Sequence, residues 1–182
     1  GRHAPHRAVP FSRDDLLREM DAAGVHRVVI VPPGWAGESN EVGLEAARLH
    51  PERFAVMGRF DTRAPDALRS LRDWQRQPGM LGVRLTFAGN PEYAVPLVEG
   101  HLDGFWAEAE KAGVPVMVSV PPLLLHLIDR VAGRHPGLKI TIDHLARHLG
   151  RTDAEAYADL DRLLVLERHP NIAVKASGLP SH

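Results

Sequence analysis

The chain has 182 residues, 44% of them hydrophobic, which is enough apolar material for a single domain spanning 1–182 with a sizeable core. Its 22 basic and 23 acidic side chains are dispersed and leave a formal net charge of -1, so there is no electrostatic footprint for nucleic acid or an anionic membrane. Zero cysteines exclude disulfides, thiol catalysis and thiolate metal sites, and apolar runs such as Val114 to Val120 fall well short of the roughly 20 residues that span a bilayer. The opening Gly1-Arg2-His3-Ala4-Pro5-His6-Arg7 lacks the apolar core of a secretory signal, and the expectation is a cytoplasmic protein acting on a small molecule.

A helix followed by a short β-branched strand is the repeating unit. Ser12 can cap a helix to about Ala23, with Asp14 and Asp15 at its positive end and Gly24 stopping it; the strand Val25 to Val31 follows. Pro32-Pro33-Gly34 breaks that strand, Ser39 or Asn40 can cap a helix to His50, and Pro51 ends it. Arg53 to Phe60 reads as the second strand. Ala64 to Gln77 reads as a helix with Leu68, Leu71 and Trp74 as its buried stripe, and Leu81 to Phe87 as the third strand. Five breakers between Ala88 and Gly100 predict the longest loop of the chain. His101 to Ala112 is the next helix, Val114 to Val120 the fourth strand, Pro122 to His135 a helix, and a fifth strand starts near residue 138 and runs into Asp143. Thr152 can cap a helix to His169, before a sixth strand from Asn171 to Ser177.

Strands alternating with helices imply right-handed crossovers and a parallel sheet. A doubly wound sheet usually carries a Gly-rich phosphate turn after its first strand, and Pro32-Pro33-Gly34-Trp35 is a poor match. An eight-unit barrel normally needs about 250 residues. The expectation is therefore an α/β, (β/α)8 barrel-like fold lacking two strands in this chain, with parallel neighbours in chain order.

The candidate site follows from where strands end. Ile140-Thr141-Ile142-Asp143-His144-Leu145 reads as a buried strand that stops in a carboxylate and an imidazole, and barrels gather their reacting groups at such ends. Arg84 lies between Val83 and Leu85, which face the other way, so it points into the barrel, where it meets either a ligand carboxylate or an internal partner, Asp61 or Asp143. Arg59 also stands near a strand end. Lys175 can polarise a carbonyl or pair with a carboxylate, while Ser119 and Ser177 lack a nucleophile elbow and read as hydrogen-bond donors to a ligand. Trp35 can cover a ligand, Asn40 reads as a helix cap, and His101 and His148 sit in loops near strand ends. His126, His135 and His169 read as surface or capping residues, and Trp74 and Trp106 as core.

The segments Gly24-Val25-His26-Arg27-Val28-Val29-Ile30-Val31-Pro32, His50-Pro51-Glu52-Arg53-Phe54-Ala55-Val56-Met57-Gly58, Gly82-Val83-Arg84-Leu85 and Ile142-Asp143-His144-Leu145 together resemble the amidohydrolase-related, metal-dependent hydrolase superfamily. The resemblance is closest to its branch around 2-pyrone-4,6-dicarboxylate lactonase. It implies a distorted barrel in which the six strands are the second to seventh, and hydrolysis of a C–O or C–N bond in a carboxylated small molecule. It also implies His144 as the carbonyl-polarising residue, Asp143 in support, Arg84 on a carboxylate, and a water-activating Asp beyond residue 182. The family places a His-x-His pair on the first strand, for which His3-Ala4-Pro5-His6 has the wrong spacing, and often a His on the fifth, where this chain has Ser119. The expectation is no cofactor, or a divalent metal such as zinc with His144 as a ligand. The alternatives are a metal-dependent decarboxylase of the same superfamily, and an inactive binding or assembly fragment that a second copy completes as a homo-oligomer.

Overall fold

The computed structural model describes residues 11–34, 39–148 and 150–177. Ser12 caps α1 (Arg13–Ala22) through a reciprocal box with Asp15, and Val25 N–H closes the helix end onto the Met20 carbonyl. The strands are β1 (Val28–Ile30), β2 (Phe54–Arg59), β3 (Met80–Thr86), β4 (Val116–Ser119), β5 (Ile140–Ile142) and β6 (Ile172–Val174). Among the described residues they form one sheet in the order β1 to β6, every pair parallel. An order without reversal rules out the doubly wound alternative and is the winding of a barrel arc, with β1 and β6 at its edges. Val29 and Val174 are accordingly 45% and 41% exposed, whereas Val56, Val83, Val116, Val118 and Ile142 of the inner strands are fully covered.

The helices between the strands are α2 (Glu41–Leu49), α3 (Ala67–Arg72), α4 (Pro91–Val98), α5 (Asp103–Ala112), α6 (Leu125–Arg134), α7 (Asp153–Ala156) and α8 (Leu160–Leu164). The loop expected between Ala88 and Gly100 contains α4: Asn90 caps it by accepting from Glu92 N–H, and Pro91 takes the first-turn position where no donor is needed. Leu68 of the expected stripe is 43% exposed, because α3 has only six residues and the chain tightens to a 3-10 turn at Trp74–Arg76. The single helix expected from Thr152 to His169 is broken into α7, α8 and a 3-10 turn at Val165–Arg168. At the break the Asp159 carboxylate takes hydrogen bonds from His148 and Arg162. No helix among the described residues is long and apolar enough to cross a membrane.

Val83 and Leu85 face the helices and join Leu71, Phe105, Trp106 and Ile128 in the main core, which leaves Arg84 and Thr86 on the opposite face of β3. Gly82 permits the close approach of β3 and β4. A Cβ there would lie 2.3 Å from the Pro115 carbonyl oxygen, a backbone atom that a rotamer change cannot remove. Gly82→Ala is expected to cost about 1–3 kcal/mol through overpacking, read as a lower urea midpoint at unchanged slope. An unchanged midpoint would show that β3 and β4 separate freely.

Candidate active site at the strand ends

Parallel strands deliver all their C-terminal ends to one edge of the sheet. The register sets Arg59 beside Arg84, Thr86 beside Ser119, and Ile142 beside Val174, so Asp143 and Lys175 leave neighbouring strands within reach of each other. Asp143 is the hub. Arg84 Nε and Nη2 donate to its Oδ2 at 3.2 and 3.1 Å, and Lys175 Nζ lies 2.6 Å from its Oδ1. The Asp143 side chain is 1% exposed, Arg84 14% and Lys175 35%, so a buried carboxylate faces two partly open cations. Arg84 also donates through Nη1 to the Thr86 hydroxyl. These three bonds leave two of the five guanidinium N–H donors for another acceptor.

The chain after Asp143 enters an uncommon conformation: His144, Leu145 and Ala146 have φ of 54°, 56° and 50°. Left-handed backbone costs an L-residue roughly 1–2 kcal/mol, and three in succession hold only where tertiary bonds impose them. Here Leu145 N–H donates to the Lys175 carbonyl, Lys175 N–H to the Ile142 carbonyl, and Arg147 N–H closes the turn onto His144. The turn sets His144 Nδ1 2.9 Å from Ser177 Oγ.

Burial is the main influence on His144 and holds its pKa below the usual 6.5; the nearby charges of Lys175 and Arg84 push the same way, against Asp143 and Ser177. The folded protein therefore binds fewer protons here than the unfolded chain at mildly acidic pH. The stabilisation from a neutral His144 is complete above about pH 6.5 and is lost as pH falls toward the depressed value. The urea midpoint of the protein should thus hold a constant offset from that of His144→Asn above about pH 6.5 and fall relative to it as the pH drops further. A parent midpoint that rises relative to the variant on acidification would mean that His144 is charged in the fold.

Asp143, His144, Lys175, Arg84 and Ser119 all come to this edge. Of the two internal partners weighed for Arg84, Asp143 is the one present, whereas Asp61 turns to Arg63. Ser119 ends β4 with 7% exposure. Arg59 ends β2, and its Nη1 would lie 3.9 Å from a Cβ placed on Gly34 in the loop after β1. Trp35, like the His3 and His6 pair, lies outside the described residues. Asn40 makes no side-chain cap. Its Nδ2 donates to the Arg59 carbonyl and its Oδ1 accepts from Arg59 N–H, fixing the end of β2 rather than the start of α2. His148 pairs with Asp159 and His101 with Glu99, away from the hub; His135 pairs with Glu110 and His169 with Asp129. Thr86 was missed by sequence reasoning, although its position two residues after Arg84 places it on the same strand face. Arg147, buried at 8% exposure just past the turn, was missed as well.

Among the described residues no three His, Asp or Glu side chains converge as a metal site. Both oxygens of Asp143 already face cations, so a divalent ion placed there would meet Arg84 and Lys175, and the donors described do not fit zinc.

The model of the amidohydrolase family matches residues 2–182. A comparison with curated proteins finds no match in sequence. Among solved structures, the chain is similar to a probable 2-pyrone-4,6-dicarboxylic acid hydrolase from Acinetobacter baumannii with citric acid bound (TM-score 0.78, 22% identity, 98% of this chain and 63% of that one). It is similar to an amidohydrolase from Burkholderia multivorans with bound zinc (TM-score 0.75, 21% identity, 96% and 61%). It is also similar to 2,6-dihydroxybenzoate decarboxylase complexed with 2,6-dihydroxybenzoate (TM-score 0.59, 19% identity, 95% and 71%). At these identities the likeness is one of fold, and the chain spans less than two thirds of the length of the first two.

Proposed function

The chain belongs to the amidohydrolase family, and from that premise we propose that the whole protein hydrolyses a C–O bond, as in a lactone, or a C–N bond of a carboxylated small molecule. The observation that carries this reading is the charge balance at the strand ends, where one buried carboxylate, Asp143, faces the two cations Arg84 and Lys175 beside a half-buried His144. The surplus positive charge selects an anion, and the spare N–H donors of Arg84 suit a carboxylate. His144, with Nδ1 at the Ser177 hydroxyl, turns Nε2 to the scissile carbonyl and stabilises the oxygen as water adds to the carbon. The ring C–O bond then breaks, its oxygen takes a proton, and the product carries a new carboxylate. Asp143 orients the cations, Lys175 pairs with developing negative charge, and Ser119 and Arg59 line the ligand's path. The relatives support this reading, one having been crystallised with citric acid.

The test is turnover of a lactone dicarboxylate by the full-length protein, compared with its mono-ester. Arg84→Met is expected to raise KM for the diacid alone by about 10- to 150-fold, the loss of a charged hydrogen bond of about 1.5–3 kcal/mol. Equal losses on both substrates would confine Arg84 to holding Asp143. CO2 release from a hydroxylated aromatic acid, abolished by a chelator and restored by metal, would replace hydrolysis with the decarboxylase reading, and no turnover on any substrate would leave a binding fragment.

A further inference from the structure

Ser177, expected from the sequence as a donor to the ligand, turns its hydroxyl instead to the His144 ring, with Oγ 2.9 Å from Nδ1. Backbone bonds set this pairing. The Lys175 carbonyl accepts Leu145 N–H at 3.2 Å, from the turn that carries the imidazole, and also Ser177 N–H at 3.1 Å, from the segment that carries the hydroxyl. Lys175 N–H is itself held by the Ile142 carbonyl at 2.8 Å, so ring and hydroxyl are both placed against one residue just past β6. Burial keeps the ring neutral at neutral pH, outweighing the pull of Asp143 and of the Ser177 backbone toward protonation. A neutral imidazole has one proton for two nitrogens, and the partner of one nitrogen decides what the other offers. A hydroxyl can donate to Nδ1 or accept from it. Among the described residues the Ser177 hydroxyl has no other hydrogen-bond partner, so only donation to Nδ1 gives its proton an acceptor within the protein. We propose that Ser177 is a positioning residue: its hydroxyl donates to His144 Nδ1, fixes the ring in the Nε2–H tautomer, and so presents a donor rather than a base at the strand ends. Such a ring can give a hydrogen bond to a carbonyl oxygen but cannot take a proton from water, so water activation falls to another group. The tautomer stands on the hydrogen bonding alone; its use on a scissile carbonyl rests on the hydrolase reading.

Nitrogen-15 NMR of the full-length protein labelled at histidine, at neutral pH, tests this, with the His144 signals identified by their loss in His144→Asn. A protonated Nε2 and an unprotonated Nδ1 are expected in the parent and in Ser177→Thr, which keeps the hydroxyl. Ser177→Ala should show a mixture of the two tautomers, and Ser177→Asp, whose carboxylate only accepts, the reverse one. Turnover of a lactone should follow the tautomer. In Ser177→Asp kcat is expected to fall by about 10²–10³, as for the loss of one donor to a developing oxyanion. The fall is smaller in Ser177→Ala and absent in Ser177→Thr, with KM little changed in either, since the ring is displaced from neither its turn nor the site. A parent spectrum with the proton on Nδ1 would overturn the proposal without recourse to any variant, as would a Ser177→Ala protein with the parent's tautomer and kcat. A Ser177-dependent Nε2–H ring in a protein that turns over no lactone would sink the hydrolase reading and leave this one standing.

Discussion

Asp143→Ala is expected to lose about 3–5 kcal/mol of folding stability, the largest effect of any single replacement at the strand ends. The side chain is 1% exposed and is the common partner of Arg84 and Lys175, which leave β3 and β6 on either side of it. Removing it strands two cations that point at each other. The left-handed turn that follows loses its anchor at the same time, because Lys175, whose carbonyl receives Leu145 N–H, is then repelled from Arg84. Urea denaturation of the variant measures the loss. Replacing Arg84 by Met together with Asp143 by Ala should recover much of it, since the pair is then removed whole; a double variant as unstable as the sum of the singles would show that the pair is not coupled.

His144→Asn carries the largest expected effect on turnover, a fall of about 10²–10³ in kcat, the usual consequence of losing one donor to a developing oxyanion. Asparagine is the informative replacement. It tolerates left-handed backbone better than any other side-chain-bearing residue, so the φ of 54° survives and the imidazole alone is removed. Stability at pH 7 should therefore change little while kcat collapses. A kcat within about threefold of the parent would remove His144 from the chemistry, and a matched loss of stability would show that the imidazole serves the turn.

Much of the fold was legible because it is local. β-Branched runs bounded by proline and glycine placed six strands within a few residues of their ends, and alternation along Val83-Arg84-Leu85 showed which side of β3 faces away from the helices. The elements that were misread are those where position or a distant partner outweighs composition. Pro91 counts as a breaker in a tally, yet at the first turn of α4 it breaks nothing. The pattern from Thr152 to His169 is helical by composition, and it is split at Asp159, whose carboxylate is held by His148 from the preceding loop.

By itself the sequence determined that the strands are parallel and successive, and that a carboxylate, an imidazole, a lysine and an arginine stand at or near their ends, because strand propensity and period-two alternation act between neighbours in the chain. Only the tertiary structure decided which of these groups meet. Arg84 and Asp143 are 59 residues apart, and it is the register of β3, β4 and β5 that turns two strand-end charges into an ion pair. The left-handed turn has no glycine to announce it, since it is imposed by bonds to β6 rather than favoured by its own residues. Arg147 looked like any loop arginine, because burial without an acceptor is a property of everything packed around it and of nothing in the sequence beside it.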